Sequence, residues 1–373
     1  MYTYSYWENE QFFLNNDLLI IGSGIVGLST ALFYKKKNPK ANVLILERSS
    51  IPSGASTRNA GFACYGSLGE LSDNLKSHKL EELLSLMERR YKGLELLRAT
   101  LGDYNIDFVE CGSYELFTDE KEYENALVNI QIFNTECLRF LPAKAFSVAS
   151  EKIKEKGFNG IKHLVYNQFE GSLNSGKIYN ELLLKCFKNG IKILNGINVD
   201  SIDFSSNKVL IKNANAITFG KLILCSNAFS KQLIPELDVI PGRGLILVSK
   251  PIENLKLNGI YHMEKGYFYF RNIGNRLLIG GGRNLDFKGE ETNEFGSNAI
   301  IKEALIQLAQ RKIVPYSNFE TEFEWSGIMA FGKDKYPIVK HLKNNVYCAV
   351  KMGGMGVAIG SIIGKEAAEM LSV

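Results

Sequence analysis

The chain is poor in the residues that most often carry site chemistry unaided. Only four histidines occur among 373 residues, and no two stand at metal-ligand spacing, so no metal centre is expected. The six cysteines (Cys64, Cys111, Cys137, Cys186, Cys225, Cys348) lie far apart and form no C-x-x-C. That excludes a zinc ribbon or thioredoxin-like motif and fits a reducing compartment. Charge of one sign is lacking as well: 44 basic and 40 acidic residues leave a net +4. The one dense basic run, Lys35-Lys36-Lys37, closes a helical pattern, where cations suit the helix dipole. Without a basic stripe, nucleic acid is not an expected partner. The N-terminus, MYTYSYWENE, has neither the basic nor the apolar region of a signal peptide. The longest uncharged stretch, Leu18 to Tyr34, falls short of a membrane span and is broken by three glycines. A cytoplasmic location is expected, and a peripheral membrane contact stays open.

What remains is an ordinary globular composition, 45% hydrophobic and 23% charged, long enough for about two domains. The run Leu18–Ile21 after Asp17 reads as a buried parallel strand. A glycine turn follows, then Ile25, Leu28 and Leu32 at helical spacing, then a second apolar strand, Val43–Leu46, closed by Glu47. A loop from Ser53 to Gly69 has almost no periodicity, which usually marks function. Apolar spacing predicts a long helix from Leu80 to Leu101, a strand from Phe108 to Phe117, and helices over Glu120–Arg139, Ser175–Gly190 and Asn298–Lys312. Short strands are expected from Ile191 to Ser226. Pro241 to Gly282 alternates like an antiparallel sheet, with a hairpin near Gly274. Three late strands and a glycine-initiated helix, Gly353 to Leu371, close the chain.

Gly22, Gly24 and Gly27 form G-x-G-x-x-G between strand and helix, and Glu47 lies 47 − 27 = 20 residues beyond. This is a dinucleotide-binding fingerprint. The first glycine makes the turn, the second admits the pyrophosphate, and the third lets helix and strand pack closely. The helix start, Ile25 and Val26, offers free N–H donors to phosphate. Glu47 can accept from ribose hydroxyls and disfavours a 2′-phosphate. NAD and FAD both stay open on these residues.

The following loop, Gly54-Ala55-Ser56-Thr57-Arg58-Asn59-Ala60-Gly61, resembles the "GAS…G" segment of the FAD-dependent D-amino acid oxidase family, which includes glycine and sarcosine oxidases and D-amino acid dehydrogenases. Further segments resemble that family in order. They are Glu170-Gly171 to Ser175, Leu224 to Ser230 with Asn227 replacing the usual glycine, Pro241-Gly242-Arg243-Gly244, Trp325-Ser326-Gly327, Asp334 to Pro337, and Gly353-Gly354-Met355-Gly356-Val357. The resemblance runs from residue 17 to 371. It implies a Rossmann-like α/β FAD domain with an interleaved substrate domain on an antiparallel sheet. The expected segments are 15–79, 146–235 and 322–373 for FAD, and 80–145 and 236–321 for substrate. It also implies FAD contacts at the fingerprint, at Glu47 and Arg48, at Gly54, Ala55, Ser56, Asn59, Ala60 and Gly61, and at Val199, Ser226, Asn227 and Gly327. The last contacts would come from Gly354, Met355, Gly356 and Val357 beneath the ring. With no cysteine between Cys225 and Cys348, the FAD is expected to be non-covalent.

The implied reaction is oxidation of a small amine or amino acid by hydride transfer to flavin N5, giving an imine that hydrolyses. Oxygen or a quinone could accept the electrons. The family's usual carboxylate-binding arginine after "W.G" is absent, since Ile328-Met329-Ala330 stands there. A replacement is expected in Tyr267, Tyr269 and Arg271, which share one face of a strand, or in Arg58 of the flavin loop. His262 reads as structural. Two alternatives share the fold: oxidation of a 2-hydroxy acid or polyol phosphate, and a non-catalytic flavin-binding redox sensor.

Overall fold

A computed structural model describes residues 4–212 and 214–372. Two sheets organise it. The first has six strands in the order Ile338–Lys343, Val346–Val350, Lys221–Leu224, Leu18–Ile21, Val43–Glu47, Lys192–Asn195. All pair in parallel except Ile338–Lys343, which is an antiparallel edge. The strand sequences explain the burial. Leu18, Ile20, Val43 and Ile45 enter one core, and the alternating Leu19, Ile21, Leu44 and Leu46 enter the core on the other side. A strand covered on both faces must be apolar at every position.

Three helices stack on one side. Ile25–Lys37 packs on Gly356–Leu371, which packs on Leu80–Leu101. Glycines set this closeness: a Cβ on Gly360 would stand 2.8 Å from Ile25 Cγ2, and one on Gly93 would collide with the Ala358 carbonyl. The closing helix begins at Gly356, not Gly353, because Gly353 and Gly354 hold positive φ.

The second sheet has eight strands: Thr321–Phe331, Ile240–Ser249, Arg276–Gly281, Phe268–Ile273, Ile260–Met263, Ser113–Phe117, His163–Asn167, Phe146–Val148. It is antiparallel except where Ile260–Met263 meets Ser113–Phe117. One face, including Leu245, Leu247, Phe268, Phe270, Leu277 and Ile279, packs under the helix Ala299–Leu308. The other face carries Ile246, Val248, Tyr269, Leu278 and Trp325 against Ala60 and Phe62 of the glycine loop. The hairpin at Gly274-Asn275 lies as expected, with Ile273 opposite Arg276.

Several boundaries differ from the sequence expectation. Phe146–Val148, His163–Asn167 and all of Thr321–Phe331 but its first residue fall in segments assigned to the FAD unit, yet they pair into the eight-stranded sheet. The helix Leu80–Leu101 falls in a segment assigned to the substrate unit, yet it buries Leu94, Leu97 and Leu101 in the core of the six-stranded sheet. Hydrophobic period names a strand or helix and carries nothing about its partner. The helix expected over Glu120–Arg139 breaks at Val128-Asn129. The strand expected from Phe108 starts at Ser113. The loop after Ser53 holds a turn of helix, Ala55–Arg58, and a short strand, Phe62–Ala63.

Candidate active site

A cavity of about 740 Å³ runs from the ends of the parallel strands to the face of the eight-stranded sheet. At one end stand Glu47, Arg48, Ile197 and Val199; in the middle Gly22, Gly24, Ile25, Val26 and residues Gly54 to Ala60; at the far end Gly327 and Gly353 to Val357. The strand ends, the helix mouth and the loop meet there because all follow the carboxyl edge of one parallel sheet, where α/β proteins bind ligands.

The fingerprint glycines do what the fingerprint requires. Gly22 sits at φ +105, and a Cβ on Gly27 would overlap the Gly22 carbonyl oxygen. Gly27 itself does not line the cavity; it sets the helix against the strand. The helix mouth has no capping side chain of its own. The Ile25 N–H donates instead to Ser56 Oγ at 2.9 Å. Glu47 is fixed by the Ser23 N–H (3.1 Å), the Ser23 hydroxyl (2.9 Å) and the Ser49 N–H (3.0 Å). Arg48 lies over the Phe229 ring at 4.0 Å.

Asn59 shapes the loop: its Oδ1 accepts from the Gly61 N–H and the Ser175 hydroxyl, and its Nδ2 donates to the Ala55 and Ser56 carbonyls. Asn227 adopts φ +47, a conformation asparagine tolerates, and its Oδ1 accepts from Lys351 and Met352 N–H. Ser226 shares a hydrogen bond with Ser230. The helix Gly356–Leu371 opens toward the cavity with no side-chain cap, so its N–H groups and dipole are available there. These features fit FAD: an anion-ready helix mouth, a ribose-side carboxylate, and a second helix mouth under the far end.

Of the four residues expected in catalysis, Tyr267 and Tyr269 line the cavity. Burial pushes the Tyr269 phenol up to about 12. Arg271 does not line it. Strand alternation does put Arg271 on the face of Tyr269, but two residues farther along, about 6.6 Å. There its Nη1 donates to the carbonyls of Gly61 (2.7 Å) and Leu173 (3.1 Å). The expectation that it meets a substrate anion does not fit this placement. Arg58 lines the cavity, but its guanidinium donates to the Ser326 carbonyl at 2.9 Å and stacks on Phe295.

Other cavity residues escaped the sequence reading. Arg283, just past the strand Arg276–Gly281, lies over the ring of Phe331 at 4.0 Å and near that of Phe287 at 4.8 Å. Burial lowers its pKa, opposed by Tyr267, Glu290 and Glu291. No ion pair involves it among the described residues. Phe331 and Met329 both approach Gly354, at 4.0 and 3.6 Å from a Cβ built there, so Arg283 stands one ring away from the closing helix mouth. At the rim, Lys265 pairs with Asp73 at 3.1 Å, and Lys335 reaches Asn74 at 2.7 Å and Glu70 at 3.5 Å. His262, read as structural, lines the cavity. No pattern announced these residues; they come from three separate loops and strands.

Among the described residues no group of His, Cys, Asp or Glu could hold a metal ion, and no helix is long and apolar enough to cross a membrane. The family model for FAD dependent oxidoreductase (DAO) matches residues 17–370. The probable oxidoreductase OrdL of Haemophilus influenzae is 20% identical over 95% of this chain and 82% of its own length. Glycine oxidase from Geobacillus kaustophilus superposes with a TM-score of 0.75 at 20% identity, covering 95% of this chain and 94% of that one. L-Proline dehydrogenase from P. horikoshii gives 0.75 at 17% identity, over 96% and 93%. With the fingerprint, the two helix mouths and the cavity between them, this match places the chain in the DAO family of FAD-dependent oxidoreductases.

Proposed function

We propose that this oxidoreductase acts on a small amine or amino acid, oxidising the carbon beside nitrogen to an imine that hydrolyses. The observation that carries the reading is Arg283, a partly buried cation held by aromatic rings inside the cavity and in no ion pair among the described residues. When bound, FAD supplies the hydride acceptor. In this reading Gly22 to Val26 and Ser56 hold the diphosphate, Glu47 the ribose, Val199 the adenine side, and Gly354 to Val357 the ring, with the FAD non-covalent. Arg283 would take the substrate carboxylate on its planar fork, in place of the family arginine where Ile328-Met329-Ala330 stands. Tyr267 and Tyr269 would flank it. The rim pairs Lys265–Asp73 and Lys335–Glu70 would keep water from the reacting carbon. Arg271 and Arg58 would position the loop under the ring. Oxygen or a quinone takes the electrons afterwards. The segments drawn for FAD and substrate, with the strand exchanges noted above, would then meet around this cavity.

The test is anaerobic bleaching of the flavin band by D- and L-amino acids, N-methyl amino acids, simple amines and 2-hydroxy acids. Bleaching by amines or amino acids is expected. Bleaching by 2-hydroxy acids alone would replace this reading with oxidation of an alcohol carbon. Bleaching by dithionite and by no organic substrate would favour a flavin protein without turnover.

A further inference from the structure

Two buried polar atoms without hydrogen-bond partners face each other in the cavity wall. His262 lines the cavity, and its Nε2 lies 3.9 Å from Oε2 of Glu170; neither atom has a partner. Glu170 is completely buried. Its other oxygen accepts from the N–H groups of Tyr65 (2.8 Å) and Gly66 (3.2 Å), and no lysine or arginine pairs with it among the described residues. A buried polar atom left unpaired is destabilising, so this juxtaposition calls for a reason. With Nε2 turned toward Glu170, Nδ1 is the ring nitrogen left for a ligand in the cavity.

The surroundings are defined on every side. Glu115 and Tyr269 flank His262 on the neighbouring strands, and the Phe62 ring meets it edge-on at 5.4 Å. Glu70 acts electrostatically on both His262 and Glu170. Cys64 and Tyr65 feel Glu170, and Arg90 lies near Cys64. Ser113 lies close enough to Glu170 to oppose part of the effect of burial on its carboxyl.

We infer that His262 accepts the proton of the substrate ammonium and hands one on to Glu170, so that the amine is neutral when it is oxidised. The inference rests on the amine reading above. In the step, one ammonium N–H bond breaks and an Nδ1–H bond forms. The Nε2–H proton passes to Glu170 Oε2 as the side chains close from 3.9 Å to hydrogen-bond length, about 1 Å. The products are a neutral amine, a neutral imidazole in its other tautomer and a carboxylic acid; no electrons move. Burial sets the pair up for this. It pushes His262 down to about 4, so the ring is neutral, and Glu170 up to about 7. Above pH 7 or so the carboxylate stands ready; below it the pair is already protonated and cannot accept.

The experiment uses the FAD-loaded full chain and two readouts. Stopped-flow anaerobic reduction of the flavin by the best amine or amino acid should fall in the wild type as pH drops through about 7. His262→Asn and Glu170→Gln should keep the wild-type flavin spectrum and lose about 10²–10⁴-fold in reduction rate at neutral pH. Their rates should rise with pH only as the substrate's own amine ionises. Separately, and without turnover, the His262 imidazole resonances should shift near pH 7 in the wild type and lose that step in Glu170→Gln. A His262→Asn rate within twofold of wild type with an unchanged pH limb overturns the inference, as does a wild-type His262 resonance flat through neutrality. If either variant fails to fold, the wild-type limb and resonance decide. If no amine or amino acid reduces the wild type, the substrate reading falls, while the resonance still reports whether the pair exchanges a proton.

Discussion

Gly27→Ala should cost this chain its FAD while barely changing its composition. The added Cβ overlaps the Gly22 carbonyl oxygen and stands 3.2 Å from the Gly22 carbonyl carbon and 3.3 Å from Cys225 Cβ. All but the last are backbone atoms, so no flexible side chain can yield. Relief requires the helix Ile25–Lys37 to withdraw by about an ångström, given carbon contacts of roughly 3.5 Å. Its far side is close-packed, however: the closing helix approaches so nearly that a Cβ added at Gly360 or Gly364 would stand 2.8 Å from Ile25 Cγ2 or the Thr30 nitrogen, respectively, which leaves little room for retreat. Overpacking of this kind costs about 1–3 kcal/mol of stability. The larger effect falls on the helix mouth, whose N–H groups would be drawn away from a bound diphosphate, where a charge-assisted hydrogen bond is worth about 1.5–3 kcal/mol. The dissociation constant for FAD should rise by at least about 10²-fold. Gly176→Ala is the control, because Gly176 is exposed, lies outside the cavity lining, and a Cβ there meets only Asn174 Oδ1 at 3.4 Å. Titrating apoprotein with FAD and following flavin fluorescence gives both constants. A Gly27→Ala protein that binds FAD within threefold of wild type would refute the steric argument.

Arg283→Met should leave FAD affinity intact and lower kcat/KM for a carboxylate-bearing substrate by about 10–150-fold, the equivalent of one charged hydrogen bond, with little effect on an uncharged amine. Arg271→Met should act in the opposite manner, lowering Tm and weakening FAD binding as the Gly61 and Leu173 carbonyls lose their donor, while turnover per bound flavin stays near wild type. Glu115 is buried, and burial raises its carboxyl from the ordinary 4.5 to about 7. Its stabilising share is therefore full below pH 4.5 and lost as pH rises through 7, roughly 3 kcal/mol. Glu115→Gln should flatten the fall in Tm between those pH values and be more stable than wild type at pH 8; a parallel pH curve would argue against it. Glu290 is buried against Arg243 at 2.8 Å, and Glu290→Gln should cost about 3–5 kcal/mol by leaving the guanidinium unpaired, read as a lowered midpoint in urea.

The βαβ start was legible because its constraints are local. Leu18–Ile21 and Val43–Leu46 are apolar at every position, as a doubly covered parallel strand must be, and Gly27 answers to the Gly22 carbonyl of its own turn. The strands Phe146–Val148 and His163–Asn167 were not expected from the sequence, nor was their place in the eight-stranded sheet. Phe146–Val148 pairs with His163–Asn167, which pairs in turn with Ser113–Phe117, and sequence period says nothing about a partner elsewhere in the chain. The break at Val128-Asn129 was hidden because the apolar spacing continues across it.

The two arginines show where sequence reasoning stops at a site. Arg271 follows Tyr267 and Tyr269 at period two, and alternation assigns its face correctly. What alternation cannot give is where the cavity ends along that face. Two residues farther on, the loop at Gly61 folds back over the sheet and presents carbonyls, so Nη1 there is consumed in holding the backbone. Arg283 has no period to announce it, yet Phe331 and Phe287 hold its charge by ring faces, which take up no N–H donor. A guanidinium stacked on rings keeps its fork free for an anion; one bonded to carbonyls has less to offer. The deciding variable is therefore the partner, carbonyl or ring, and partners belong to the folded chain. The same logic separates His262 from the three other histidines, which are exposed or half-exposed, because only His262 has a buried carboxylate oxygen facing it and a cavity at its side.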